Sequence, residues 1–445
     1  MPSPRVVIAP IVTMDPVSPR AEALAVDGDR ILAVGDVTSV RAACPPGTTE
    51  ERLDAVIVPG LIDAHLHMQR GGLKALSVPA PGGYWDAASF CAEMLRTFHL
   101  DEWPAGSVPQ PADRAAGLAL IQPLLHALGI TGVVDPAVTP AEMRAYQRAH
   151  ADGALTMRVT AMPHPDPEDS PLTRLAGVGV ATGFGDDLLR IGGIKVYFDG
   201  EGVKKQALLT TEWTPGSGDL GVQRISDDEF RSLAGFCARN GWSLGVHAVG
   251  GGAVAAVLRI FSEIDRVTPI RDLRWQLIHA YLEPSAESMA LAARLGVIAS
   301  LQPSIHWHNA EGLIGHLGER AVPADPIRSW LDAGVRVALG SDGPFFPFDP
   351  RRLMWQTRTR MVRGRAAPVA PEQAISGTEA LAGYTTGAAF SAFAEDRLGM
   401  LRAGMLADWV ALSTDPTTCT PEELLTTTVL RTVVGGRTVF TGETP

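Results

Sequence analysis

Residues 55–67 read AVIVPGLIDAHLH, an apolar strand that ends in two histidines separated by one residue. Residues i and i+2 of a strand face the same side, so His65 and His67 can present both imidazoles to one point. The same unit, an apolar strand followed by an amphipathic helix, recurs downstream. The further strands are GITGVVDP (129–136), TMRVTAMPH (156–164), IGGIKVYFDG (191–200), WSLGVHAVG (242–250), RWQLIHAYL (274–282), GVIASLQPS (296–304) and GVRVALGSDG (334–343). Between them lie helical patterns such as PAEMRAYQRAHADG, SDDEFRSLAGFCARNG and AESMALAARLG, several stopped by the glycine expected just past a helix end. Eight strand–helix units are what a (β/α)8 TIM barrel requires. A doubly wound open sheet is the alternative, and the lack of a GxGxxG turn weighs against it.

In such a barrel the chemistry belongs at the C-terminal ends of the strands. Read in order, those ends carry His65 and His67, Lys195, His247, His279 and Asp342. Each has an ordinary explanation alone: a strand-end histidine is commonly a hydrogen-bonded core group, Asp342 can cap the next segment, and a lysine stem can lie along apolar surface. Lysine is scarce here, with Lys74, Lys195, Lys204 and Lys205 only. That one of them, four histidines and an acid all fall at the same end of different strands points to a shared site. His164, His306 and His308 follow the third and seventh strands, where substrate contact is expected. His126 and His150 lie in helical patterns, and His99 and His316 in loops. Trp85, Trp307 and the FFPF run at 345–348 are candidates for an apolar pocket wall. The arginine-rich segment 351–365 reads as a solvated helix face.

The ends of the chain differ from its middle. Residues 6–58 and the stretch after 395 read as short strands with turn signals, Asp27-Gly28 and Gly435-Gly436, where glycine tolerates positive φ. This predicts a small composite β-sandwich from residues 1–57 and 395–445 flanking a barrel at 58–394. A net charge of −11 argues against nucleic acid or an anionic membrane as partners, since both demand a basic surface. Small molecules are the expected partners. Cys44, Cys91, Cys237 and Cys419 form no CxxC pair and suit a reducing, cytoplasmic setting. No stretch approaches the roughly 20 apolar residues of a membrane helix.

With these residues laid out, the sequence resembles the amidohydrolase superfamily and, within it, the YtcJ-like branch of metal-dependent hydrolases. The blocks that carry the resemblance run from VPGLIDAHLH through GIKVYFDG, GVHAVGGGAV, IHAYLEPS, LGVIASLQP and GVRVALGSDGPFFPFDP to LGMLRAGMLADWVAL. The resemblance implies that His65 and His67 ligate one divalent metal, and His247 and His279 a second. It further implies two zinc ions bridged by Lys195 as a carbamate, with Asp342 as both ligand and acid/base. The implied reaction is hydrolysis of an amide or related C–N bond of a small molecule by a metal-activated hydroxide, in a possible homodimer. Two alternatives stand beside it: a mononuclear hydrolytic deaminase of a heterocycle, and a catalytically silent binding or scaffold barrel.

Overall fold

The computed structural model describes residues 4–80, 84–97, 107–165 and 179–442. Among the described residues five strands come before Gly60: β1 (Arg5–Val12), β2 (Arg20–Asp27), β3 (Arg30–Gly35), β4 (Thr49–Arg52) and β5 (Val56–Pro59). Nine follow in the middle of the chain: β6 (Leu61–Asp63), β7 (Ile130–Val138), β8 (Arg158–Pro163), β9 (Leu189–Ile191), β10 (Ile194–Tyr197), β11 (Leu244–Gly250), β12 (Gln276–Leu282), β13 (Ile298–Leu301) and β14 (Val337–Leu339). The last three are β15 (Trp409–Leu412), β16 (Val429–Val434) and β17 (Arg437–Thr441).

The middle strands form two parallel sheets, β6-β7-β8-β9 and β10-β11-β12-β13-β14. The stretch 191–200, expected as one strand, is split by Gly192-Gly193 into β9 and β10. A Cβ on Gly192 would lie 2.3 Å from Thr160 Cγ2, and one on Gly193 2.9 Å from Ser243 O, so both positions need a bare backbone. The Gly192 amide donates to Ala161 O on one side and the Ile194 amide to Ser243 O on the other, which lets one segment of chain serve both sheets. At the far edges the Ala64 amide donates to Leu339 O, and the Ser341 and Asp342 amides to His65 O. These bonds bring the strand ends that carry His65 and Asp342 side by side.

Helices cover the outer faces because the strands are apolar on both sides. Helices Pro140–Ala151 and Asp227–Arg239 each start in a capping box, Thr139 with Glu142 and Ser226 with Glu229, which satisfies amides that the first turn leaves unpaired. Phe230 and Phe261 from the helices Asp227–Arg239 and Gly251–Asp265 pack with Trp242 and Trp275 in a core closed to solvent. Each such side chain contributes about 1.5–3 kcal/mol on burial.

The terminal segments meet in one eight-stranded sheet ordered β17-β16-β15-β5-β1-β2-β3, with β4 paired to β1. β15 lies antiparallel to β5, Val410 opposite Val58, so the C-terminal strands are zipped to the N-terminal ones. Gly435 and Gly436, at φ 53° and 71°, close the turn between β16 and β17 as expected. A buried ion pair ties this sheet to β8: Arg158 Nε lies 2.6 Å from Asp408 Oδ2 and Nη2 lies 2.7 Å from Oδ1. Among the described residues no helix is long and apolar enough to cross a membrane. The four cysteines are free thiols.

Candidate metal centre

His65 follows β6, His67 caps the helix Met68–Ser77, Lys195 sits in β10, His247 in β11, His279 in β12, and Asp342 follows β14. All six line one cavity of about 630 Å³. Parallel register does the assembling: Tyr197 is opposite His247, and Ala248 opposite His279, so neighbouring strands deliver neighbouring rings. Ring centroids of His247 and His279 are 4.5 Å apart, His65 and His279 5.2 Å, and His65 and His67 5.5 Å. Asp342 Oδ1 stands 3.4 Å from His65 Nε2 and 3.3 Å from His67 Nε2. These three residues offer donor atoms that all lie within 4.8 Å of one another.

The electrostatics favour neutral bases around one carboxylate. Burial pushes the His65 and His67 imidazoles down to about 4, and holds His247 and His279 well below the ordinary histidine range. Burial likewise lowers the Lys195 amine to about 7. Burial alone would raise Asp342, but hydrogen bonds from His65 and His67 outweigh it and keep the carboxyl well below the usual range. Neutral imidazoles and an ionised carboxylate are the forms that ligate a cation. Three buried atoms in this cluster, Lys195 Nζ, His67 Nδ1 and His247 Nε2, have no hydrogen-bond partner. Orphaned donors and acceptors of this kind cost free energy unless something occupies the space between them, so the donor set fits a divalent cation.

A second layer of residues, missed in the sequence, aims the first. Gln302 Oε1 accepts from His279 Nδ1 at 2.7 Å, and Gln302 Nε2 donates to Ser300 O at 3.1 Å, which fixes the amide's orientation. An amide oxygen only accepts, so the His279 proton is on Nδ1 and its Nε2 is left as the ligand atom. Asp199 accepts from the Leu208, Val249 and Gly250 amides and lies 3.7 Å from His247 Nε2. Asp63 Oδ1 accepts from the His65 and Ser341 amides, joining the first and last of the middle strands. Asp135 lies 3.9 Å from His67 Nδ1 and is bonded by the Tyr146 hydroxyl. His279 and Asp342 also hold positive φ, 78° and 55°, the strained backbone that concentrates at functional positions. The sequence signal for Gln302 was its place near the end of the seventh strand-like stretch, within the LGVIASLQP block.

The residues named for substrate contact are placed differently. His164 Nδ1 bonds Lys195 O at 2.9 Å, and its ring meets Tyr197, which lines the cavity. Trp85, Trp307, His306 and His308 are not among the described residues that line it. Trp85 packs on Phe90, Trp307 lies under the Arg352 guanidinium, and His308 is bonded to Asn309 and Arg363. His306 is buried in the helix Pro303–Leu317, which also contains His316. Of the FFPF run, Phe345 and Phe346 do reach the cavity. His126 and His150 lie in helices as expected, and His99 lies outside the described residues. The arginines of 351–365 form a solvated face only in part: Arg352, Arg363 and Arg365 are exposed, and Arg351 and Arg358 are half-buried. Arg360 is fully buried against Asp325, and Arg351, Arg358 and Arg365 are bonded to Asp349, Cys419 O and Glu311.

Comparison with known proteins gives the chain's family. The model of the amidohydrolase family Amidohydro_3 matches residues 94–440. N-substituted formamide deformylase of Arthrobacter pascens is 26% identical, over 97% of this chain and 97% of its own length. YtcJ of Bacillus subtilis (strain 168), named as an amidohydrolase, is 27% identical over 67% of this chain and 55% of its own. Among solved structures, an uncharacterized metal-dependent hydrolase from Pyrococcus furiosus superposes with a TM-score of 0.75 at 22% identity, covering 93% of this chain and 100% of that one. The fold is of the TIM-barrel α/β type.

Proposed function

The chain belongs to the amidohydrolase family, in its YtcJ-like branch, and is a metal-dependent hydrolase of carbon–nitrogen bonds in small molecules; from that premise we propose that the cluster at the strand ends is its catalytic centre. His65 and His67 with Asp342 would hold one divalent cation, His247 and His279 a second, and Lys195 as a carbamate would join them. A bound divalent cation supplies Lewis acidity towards a carbonyl oxygen and lowers the pKa of water towards neutrality. The observation that carries this reading is Asp342 Oδ1 standing within 3.4 Å of both His65 Nε2 and His67 Nε2, on the wall of a cavity shared with Lys195, His247 and His279.

Asp342, ionised and open to the cavity, can take a proton from water at Oδ1 and return it to the leaving nitrogen. The reaction is R–CO–NH–R′ + H2O → R–COO⁻ + R′–NH3⁺. Burial lowers the Lys195 amine to about 7, so near neutral pH a large share of Nζ carries the lone pair that can bond carbon dioxide. The N–C bond forms, one proton leaves, and the side chain becomes an anion. Tyr197, Ile305, Phe345 and Phe346 give the cavity wall apolar surface beside the proposed centre. Resemblance to the formamide deformylase supports an N-substituted formamide or another small N-acyl compound as substrate.

The same reading takes the middle strands as a closed (β/α)8 barrel over 58–394, with 1–57 and 395–445 as one β unit. The pairing of β5 with β15 and the bonds from Ala64 to Leu339 and from Asp342 to His65 support it. A mononuclear centre is the second reading, favoured by the compact His65, His67 and Asp342 set, with Lys195 left as an amine. Metal analysis and intact mass of the purified protein separate the two. Two metals per chain and the added mass of one carbon dioxide, lost in Lys195→Ala, are expected. Full C–N hydrolysis after exhaustive chelation would overturn metal dependence itself.

A further inference from the structure

The cavity wall carries two tyrosines, Tyr197 and Tyr281, and their hydroxyls are in different states. Tyr281 is buried, and its hydroxyl accepts from the Gly202 amide at 3.3 Å. Tyr197 is half-buried, and among the described residues no hydrogen bond reaches its hydroxyl, which is open to the cavity. Tyr197 closes β10 two residues past Lys195, and residues i and i+2 of a strand face the same side. Lys195 Nζ accordingly lies 5.1 Å from the centre of the Tyr197 ring. Tyr197 is also paired in register with His247, and their ring centroids are 5.2 Å apart. The His164 ring meets it edge to face at 5.5 Å, and His164 is itself tied to Lys195 O by the 2.9 Å bond from Nδ1. Two histidines thus fix the phenol ring and leave its hydroxyl to whatever fills the cavity. β10 and β14 are the two edges of the five-stranded parallel sheet, so Tyr197 and Asp342, which follows β14, come to the cavity from different strands of its wall.

We propose that Tyr197 is a further catalytic residue, whose hydroxyl donates a hydrogen bond to the carbonyl oxygen of the scissile C–N group as that oxygen takes up negative charge. The proposal rests on the hydrolase reading above and adds one donor to it. When water adds to the carbonyl carbon, a water proton passes to Asp342 and the C=O electron pair moves onto oxygen. The Tyr197 O–H meets that oxygen and keeps its own proton. When the C–N bond breaks, the pair returns to re-form C=O, and Asp342 gives its proton to the leaving nitrogen. A donor already fixed in place needs no reorganisation as the charge develops, and it holds an oxyanion more strongly than a neutral carbonyl.

The test uses the metal-loaded enzyme with N-benzylformamide as substrate. (2-Phenylethyl)phosphinate serves as a stable mimic of the tetrahedral oxyanion, with phosphorus in place of carbon and CH2 in place of NH. Tyr197→Phe removes the hydroxyl and keeps the ring between His164 and His247. Loss of one such donor costs about 10²–10³ in kcat, so kcat should fall by about two to three decades while KM stays within about threefold of wild type. Metal content should be unchanged, and the phosphinate should bind more weakly by about the factor lost from kcat/KM. A kcat within about threefold of wild type overturns the proposal and leaves C–N hydrolysis intact. Loss of metal, or a raised KM with kcat unchanged, overturns it as well, since Tyr197 would then be a packing or ground-state binding residue. If wild type does not hydrolyse N-benzylformamide, the hydrolase reading fails at this substrate class, and phosphinate binding decides the role of Tyr197. Equal affinity in wild type and Tyr197→Phe then overturns the proposed donor, and weaker binding in Tyr197→Phe supports it.

Discussion

Replacing Gln302 by leucine isolates the layer behind the metal-facing residues. Gln302 and His279 are both buried, so the 2.7 Å bond between Oε1 and Nδ1 is sheltered from solvent. Gln302→Leu keeps most of the volume and removes the acceptor, leaving the Nδ1–H of His279 unsatisfied. That costs about 1–3 kcal/mol. The lost bond also frees the ring to rotate and to change tautomer, and removing such a partner weakens metal binding about 10–100-fold. At about 1.4 kcal/mol per decade this corresponds to roughly 1.4–2.8 kcal/mol, so the two routes agree. Metal affinity measured by competition with a chromophoric chelator should therefore fall by one to two decades, with urea unfolding of the metal-free protein lowered by about the cost of the orphaned donor. Gln302→Glu, which retains an acceptor, should hold affinity closer to wild type. Wild-type metal affinity in Gln302→Leu, within threefold, would refute the assignment of Gln302 as the residue that orients His279.

Two further outcomes test the scaffold. Arg158→Met should destabilise the protein by about 3–5 kcal/mol in urea unfolding, because it strands Asp408 as an unpaired buried charge between β8 and the terminal sheet. A loss under 1 kcal/mol would show that the pair does not couple the two. Burial lowers the His126 imidazole to about 4, against an ordinary value near 6.5 in the unfolded chain, while its ring nitrogens bond Ile130 O and Thr156 Oγ1. The unfolded chain thus binds the extra proton between these values. Stability is full above pH 6.5 and falls as pH drops towards 4, by about 1.4 kcal/mol per unit at the steepest. His126→Gln should flatten that part of the stability profile measured by denaturant titration, and an unchanged slope would contradict it.

Much of the site was legible because its residues recur at one position of a repeating unit. His65, His67 and Asp342 follow strand-like runs and Lys195, His247 and His279 lie within them, and the parallel arrangement brings these positions together. The supporting residues carry no such signature. Gln302, Asp199, Asp63 and Asp135 follow or sit within strands like many other polar residues, and their roles depend on which ring or amide the fold brings opposite them. Trp307 and His308 err the other way. They follow the seventh strand, but that segment continues as the helix Pro303–Leu317, which turns them towards Arg352 and Arg363 and leaves Ile305 and Asn309 facing the cavity.

The sequence by itself determined the alternation of strand and helix, the family, and the six polar residues at strand ends, because periodicity and order along the chain are local properties. Tertiary structure alone decided the split at Gly192-Gly193, the register of β15 against β5, the burial of Arg360, and the pairing of Gln302 with His279. These depend on contacts between residues far apart in the chain. Hydrogen-bond partners and desolvation are set by what stands opposite a side chain, and only the folded chain specifies that.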